Sequence, residues 1–188
     1  MSATKADITS LAMELVKNKS FSSFSYDDIS RNLNMTKAAV HYHFKNKEDL
    51  GLALCESLKT KFTEEHEKAL PEARKGRHPW KCLEARMKMV GNEGICPIVS
   101  LQSDFENLPE RLQDSLSELT RLEIDNLCEL ARNYDPNVDE NEVIRLLLSL
   151  KAAMQYRRAL GEKFFQSTIK GIKTRFQAIC VRPNNLNG

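Results

Sequence analysis

No run of about 18 apolar residues occurs anywhere in the 188-residue chain, so a membrane-spanning helix is not expected. No charged-then-apolar leader opens it either, and the expectation is a soluble, cytoplasmic protein. The five cysteines, at 55, 82, 96, 128 and 180, are odd in number, scattered, and never spaced as CxxC, which argues against a disulfide framework and a zinc ribbon. A formal net charge of only +2 gives no global attraction to a polyanion, so any nucleic-acid surface must come from local clustering. There is no Gly-rich phosphate loop, no metal-spaced His/Glu set and no Ser-His-Asp order, so neither an enzyme nor a cofactor or metal is expected. Alternating strand patterns and internal repeats are missing as well.

What the chain does have is helical periodicity, with 41% hydrophobic residues to fill a core. The reading is all-α, with about nine helices. Ile8, Leu11, Ala12 and Leu15 mark one face of an opening helix that ends near Lys19. Ser25 and Asp28 form a capping pattern for a second helix, whose Ile29 and Leu33 point inward. Asn34 suits a left-handed turn residue, Thr36 caps a third helix, and Asn46 caps a fourth running towards Leu70. A polar connection from Pro71 to Pro79 precedes a fifth helix from Trp80 through Val90. Ile98, Leu101 and Phe105 suggest a short helix after the break at Gly91 to Pro97, and Pro109 starts a longer one marked by Leu112 to Leu130. Asp139 and Glu142 cap the next, and after Gly161 a last helix carries Phe165, Ile169, Ile172, Phe176 and Ile179. The stretch 182–188 is expected to be a disordered tail.

The most specific segment is Ser25 to Phe44, SYDDISRNLNMTKAAVHYHF, two short helical runs broken at Asn34. Arg31, Lys37, Lys45 and Lys47 cluster around it with no acid between 31 and 47. At about 100° per residue, Val40, His43 and Phe44 gather on one side of the third helix, and Lys37, Ala38, His41 and Tyr42 on the other. The second face offers a cation, a small residue that permits close approach, and two rings that can meet phosphate or base edges. The nine residues from Thr36 to Phe44, about 13 Å long at 1.5 Å each, match the width of a major groove. Lys47 would add a charge at a helix N-terminus suited to phosphate. His41 and His43, two apart on a helix, diverge by about 200° and cannot chelate one ion, so His43 reads as a partly buried hydrogen-bonding residue.

Thr36-Lys37-Ala38-Ala39-Val40-His41-Tyr42-His43-Phe44, followed by Lys45 to Leu50, resembles the recognition helix and helix 4 entry of the TetR/AcrR transcriptional regulators, and Phe21 to Ile29 resembles their approach to helix 2. The likeness covers the first third of the chain, with a weaker echo in the Ala159-Leu160-Gly161 junction. It implies a helix-turn-helix DNA-binding domain at 1–50 and an effector-binding and dimerisation domain at 51–181. The implied function is a DNA-binding regulator, by family tendency a repressor, that binds a palindromic double-stranded DNA operator as a homodimer and is released by a small-molecule or thiol-reactive effector. Ser25, Tyr26, Thr36, Lys37, Ala38, His41, Tyr42 and Lys47 are the expected DNA contacts. The sequence departs from the family pattern in three places: His41 stands where a phosphate-binding tyrosine is usual, Asn34 replaces the turn glycine, and Ser20 replaces another glycine.

Beyond the first third, the apolar stretch Glu142 to Met154 and the Phe165 to Ile179 stripe suggest a four-helix dimer bundle made by helices at about 140–160 and 162–180, although a central helix within one subunit would be equally apolar. Phe62, Trp80, Met87, Phe105, Leu127 and Tyr156 are candidate effector-pocket side chains, each of which would also serve in an ordinary core. Cys96, before Pro97, would cap a helix whose dipole favours thiolate, making it a candidate sensor of electrophiles or oxidants. The competing class is a helical ligand-binding or adaptor protein that keeps the fold without operator binding.

Overall fold

The computed structural model describes residues 4–91 and 94–183. Among them the chain is helical: α1 Lys5–Asn18, α2 Tyr26–Asn32, α3 Lys37–His43, α4 Lys47–Arg74, α5 Trp80–Val90, α6 Pro97–Gln102, α7 Glu110–Tyr134 and α8 Glu140–Ile179, with 3-10 turns at Phe21–Ser23 and Phe105–Asn107. Gly161 breaks α8 with φ 80° and ψ 177°, so the two final helices expected on either side of residue 161 are the two limbs of α8. No helix among these residues is long and apolar enough to cross a membrane.

The chain forms two compact units, residues 1–60 with 93–120 and residues 61–92 with 121–188. This differs from a single cut after residue 50, because α6 and the start of α7 return to the N-terminal helices. Ile95 N–H donates to the Lys17 carbonyl at 3.0 Å, and the buried Ser100 hydroxyl lies 2.7 Å from the Val16 carbonyl and 3.0 Å from that of Lys19. These contacts satisfy carbonyls that the end of α1 leaves without intrahelical partners. The first unit buries Ile8, Ala12 and Val16 of α1, Ile29 of α2, Val40 of α3 and Leu50 and Leu54 of α4. The second buries Trp80, Leu83, Leu127, Leu147 and Phe176.

Three local expectations change. α4 continues through Pro71 to Arg74: a proline in the last turn removes one backbone donor, and Ala73 beyond it is buried. α6 stops at Gln102, leaving Phe105 to open its own 3-10 turn. Within the expected tail, Arg182 is anchored, donating to the carbonyls of Lys75 at 3.0 Å and Arg74 at 3.1 Å, while 184–188 lie outside the described residues.

Candidate nucleic-acid interface

Local chemistry sets the geometry of α2 and α3. Ser25 caps α2 in a reciprocal box: its hydroxyl accepts from Asp28 N–H, and the Asp28 carboxylate accepts from Ser25 N–H at 2.8 Å. Those hydrogen bonds from Ser25, with the ion pair to Arg31 as a lesser cause, hold the Asp28 carboxyl below its usual range. Asn34 takes φ 49°, the one described non-glycine residue with positive φ, and Met35 N–H closes the turn on the Ser30 carbonyl at 3.0 Å. Thr36 then caps α3, accepting from Ala39 N–H at 3.1 Å. Asn34 thus does the work of the usual turn glycine.

With the turn fixed, Val40 and Phe44 are buried while Lys37, Ala38, His41 and Tyr42 are exposed, Tyr42 at 85%. Lys37 Nζ lies 3.0 Å from Asp27 Oδ2 in an exposed ion pair across α2 and α3. His41 meets the Tyr26 ring edge to face, and its Nδ1 lies 3.2 Å from the Lys45 carbonyl. A carbonyl only accepts, so this contact assigns a proton to Nδ1, and in the neutral tautomer Nε2 then presents a lone pair. His43 is half-buried with its ring against Tyr42 at 5.3 Å.

Two of the expected DNA contacts are engaged within the subunit. Tyr26 is buried, and its hydroxyl donates inward to the Asn46 carbonyl, with burial and then the Asp49 charge pushing its pKa up to about 12. Lys47 is folded inward too. Its ammonium donates to the Phe24 carbonyl and lies over the rings of Phe24, 4.4 Å from the centroid, and Phe21, at 4.9 Å. Burial lowers its pKa, an effect opposed by Asp104 and Asp28. Both residues position the reading helix and the entry to α4 instead of reaching outward. Ser25 and Thr36 remain at the surface, but their hydroxyls are engaged in capping.

The expected effector residues do not line one cavity. Phe105 belongs to the first unit and the other five to the second. Trp80 and Leu127 are core, Phe62 is buried under the Arg86 guanidinium, and Tyr156 is 59% exposed. Met87 lines a cleft beside Met154, Arg157 and Phe165. Sequence reading missed the second unit's buried charges, Arg86 and Glu123, with the half-buried Lys151 and Glu65 beside them. Cys96 takes the cap position of α6 as expected, but it is buried and the helix is only six residues long. No group of three or more candidate metal ligands occurs among the described residues.

A capped helix-turn-helix that presents an exposed, acid-free helix face is the architecture of a DNA-binding regulator. Residues 8–54 match the family model for bacterial regulatory proteins of the tetR family. The chain is 26% identical over 176 residues to the biofilm operon icaADBC HTH-type negative transcriptional regulator IcaR of Staphylococcus epidermidis, covering 92% of each. Its fold matches a TetR transcriptional regulator from Legionella pneumophila with a TM-score of 0.82 at 21% identity, over 96% of this chain and 99% of that one. A TetR-family regulator from Agrobacterium tumefaciens matches with a TM-score of 0.76 at 22% identity, over 94% and 97%. Residues 8–54 are thus similar to the tetR family of bacterial regulatory proteins, and the chain as a whole has the fold of solved TetR regulators.

Proposed function

We propose that the protein is a cytoplasmic repressor that binds a palindromic operator as a homodimer and leaves it when a small molecule binds the second unit. The observation that carries the DNA-binding part is the sidedness of α3: Val40 and Phe44 anchor it, while Lys37, Ala38, His41 and Tyr42 face outward together. Lys37 supplies phosphate affinity, Ala38 permits close approach to a base step, and the two rings supply base or phosphate contacts. Repression follows the direction named for the staphylococcal relative, a negative regulator.

Support for the dimer comes from α8. Leu148, Tyr156, Leu160 and Phe164 are large hydrophobic side chains left 38–59% exposed along α8, although Val143, Leu147 and Leu150 of the same helix are buried in the subunit's own core. An isologous pair of these helices would cover them and present two copies of α3 to half-sites one or more helical turns apart. α4 and α7 each contribute residues to both units, so a ligand that favours one arrangement of the second unit has helices through which to bias the first.

The test is selection of binding sites from random DNA by the full-length protein, followed by titration at several salt concentrations. A recovered inverted repeat whose affinity falls steeply with salt supports the reading, because displaced phosphate counterions set that slope. Absent or salt-insensitive binding would favour an adaptor that kept the fold.

A further inference from the structure

We infer that the second unit holds a site for a small apolar carboxylic acid, whose carboxylate meets Arg157 and Lys88 and whose body lies against Met87, Met154, Phe165 and Ile169. The inference rests on the effector reading above and gives that effector a chemical class. A cleft of about 230 Å³ opens between α5 and the two limbs of α8. All six of those side chains stand on its lining, which Glu84 and Gln166 complete. The volume is below the roughly 300–1,000 Å³ of drug-sized sites, so the ligand is small.

Arg157 is fixed before any ligand arrives. Its Nε donates to Glu162 Oε2 at 2.6 Å and its Nη2 to the same oxygen, while its Nη1 reaches the Gly91 carbonyl at 3.4 Å. The guanidinium carbon lies 4.3 Å from the centroid of the Phe165 ring. A guanidinium has five N–H donors, and these bonds use one on each nitrogen. One donor on Nη1 and one on Nη2 are therefore left without a partner among the described residues. The side chain is only 12% exposed but stands on the lining, so a group seated in the cleft touches it directly. Lys88, on the same lining, is exposed and makes no ion pair among the described residues. Glu84, the one carboxylate on the lining, already accepts from Trp80 Nε1, Lys81 Nζ and Lys173 Nζ. Taken with their partners, the lining groups set four cations, Lys81, Lys88, Arg157 and Lys173, against two carboxylates, Glu84 and Glu162, an excess of two positive charges.

That excess selects the ligand's head group. Like charges repel an amine, and a neutral amide or alcohol leaves the positive charge unbalanced. An anion balances it, and the two vacant donors on the two Nη nitrogens match the two oxygens of a carboxylate, with the mobile Lys88 ammonium adding a point charge. Opposite the charges the walls are thioether, ring and alkyl groups, so the body of the molecule is apolar, and the two methionines adapt to its shape. Met154 and Arg157 precede the break at Gly161, while Phe165 and Ile169 follow it, so a seated acid touches both limbs of α8 as well as α5. It thereby favours one angle at the break, which is the differential binding that a shift between two arrangements requires.

Calorimetric titration of the full-length protein with 4-ethylbenzoate, 4-ethylbenzamide and 4-ethylbenzylamine tests this. The acid should bind at least about tenfold more tightly than the amide, the scale of one charge-assisted hydrogen bond, and the amine should not bind. Lys88→Gln should weaken the acid a few-fold, and Ile169→Trp should fill the cleft and abolish binding. Circular dichroism melts check that both variants fold, and the three-compound series on the unaltered protein decides the matter if either does not. Equal binding of acid and amide, preference for the amine, no binding by any of the three, or unchanged acid binding in either folded variant overturns the proposal. The operator selection needs no effector, so DNA binding recovered there would leave the regulator reading standing in each of those cases. Release of the selected DNA by the amide or the amine but not the acid would show that an effector acts but that its class is wrong.

Discussion

The rings of Tyr26 and His41 meet edge to face, their centroids 4.8 Å apart and their planes at 65°. Tyr26 opens α2 and His41 belongs to α3, so the contact fixes the angle of an exposed α3 side chain from the helix before it. The Tyr26 hydroxyl, donating to the Asn46 carbonyl, ties the same pair to the entry of α4. Tyr26→Phe keeps the ring and removes that bond. It should cost about 1 kcal/mol, lowering the melting temperature by a few degrees and leaving operator affinity nearly intact. The unaltered protein should also lose this contribution in alkali. With the folded pKa raised to about 12, above the usual 10, the contribution is complete below pH 10 and disappears as pH rises from 10 to 12. Melts of both proteins across that range check it.

His41 differs from the family's usual tyrosine in what it can do as well as in shape. With Nδ1–H donating to the Lys45 carbonyl, the neutral ring offers Nε2 as an acceptor, whereas a tyrosine hydroxyl can donate to phosphate. An acceptor on this face suits the amino group of adenine or cytosine. His41→Tyr should therefore relax base preference at one position of each half-site while preserving or raising affinity for unrelated DNA. Repeating the selection with the variant reads this directly, and an unchanged operator logo would remove His41 from base readout.

Lys37 and Asp27, 3.0 Å apart and both exposed, hold a pair that the proposed operator complex would exchange for a phosphate. Exposed pairs of this kind contribute about 0–1 kcal/mol, so the exchange costs little, but it is a cost. Lys37→Ala should weaken operator binding and lower the magnitude of the salt slope by about 1. Asp27→Asn should do the opposite, strengthening binding a few-fold by freeing the lysine and removing a negative charge. Fluorescence anisotropy at several salt concentrations measures both, and opposite signs from the two substitutions are the signature of the exchange.

The sidedness of α3 was legible in the sequence because it depends on local rules: the caps at Ser25 and Thr36, the left-handed turn at Asn34, and a 100° periodicity that separates Val40 and Phe44 from Lys37 and Tyr42. The inward bonds of Tyr26 and Lys47 were not legible, because their partners, the Asn46 and Phe24 carbonyls, lie 20 and 23 residues away. Periodicity also could not find the buried charges as a group, since each of four helices supplies one. A faint signal did exist. Glu123 falls four residues from both Leu119 and Leu127 on the buried face of α7, and Arg86 falls three from Leu83 on that of α5. A charge on an apolar stripe marks an interior partner without saying which. The effector candidates were chosen for size and aromaticity, which select core residues such as Trp80 and Leu127 before cavity linings.

Glu84 gathers three donors: Trp80 Nε1 at 2.8 Å and Lys173 Nζ at 2.9 Å on one oxygen, and Lys81 Nζ at 2.8 Å on the other. The hydrogen bonds from Lys81 and Lys173 depress its pKa to about 2 from an ordinary 4.5. Because the folded value lies below the unfolded one, the stability from this cluster is complete above pH 4.5 and is lost as pH falls from 4.5 towards 2. Glu84→Gln should lower the melting temperature at pH 7 and flatten its pH dependence in that window. The emission of Trp80, the one tryptophan in the chain, follows the same transition from inside the cluster.

Gly171 lies in the second limb of α8, is exposed, and would have nothing within 4 Å of an added Cβ. In an isolated subunit Gly171→Ala should stabilise, since alanine gains roughly 0.5–1 kcal/mol over glycine inside a helix. If the paired α8 limbs form the proposed dimer core and Gly171 lets two helices approach closely, the added methyl should weaken the dimer while still strengthening the helix. Leu148→Glu supplies the reference: a charge placed on an apolar residue 53% exposed should leave the subunit folded and abolish dimerisation. Sedimentation equilibrium of the three proteins separates the cases. Monomeric Leu148→Glu with an unaltered melt places the interface on α8, and a dimeric Leu148→Glu would move it elsewhere. Given a monomeric Leu148→Glu, the dissociation constant of Gly171→Ala then says whether the limbs touch at their glycine or only at their large apolar side chains.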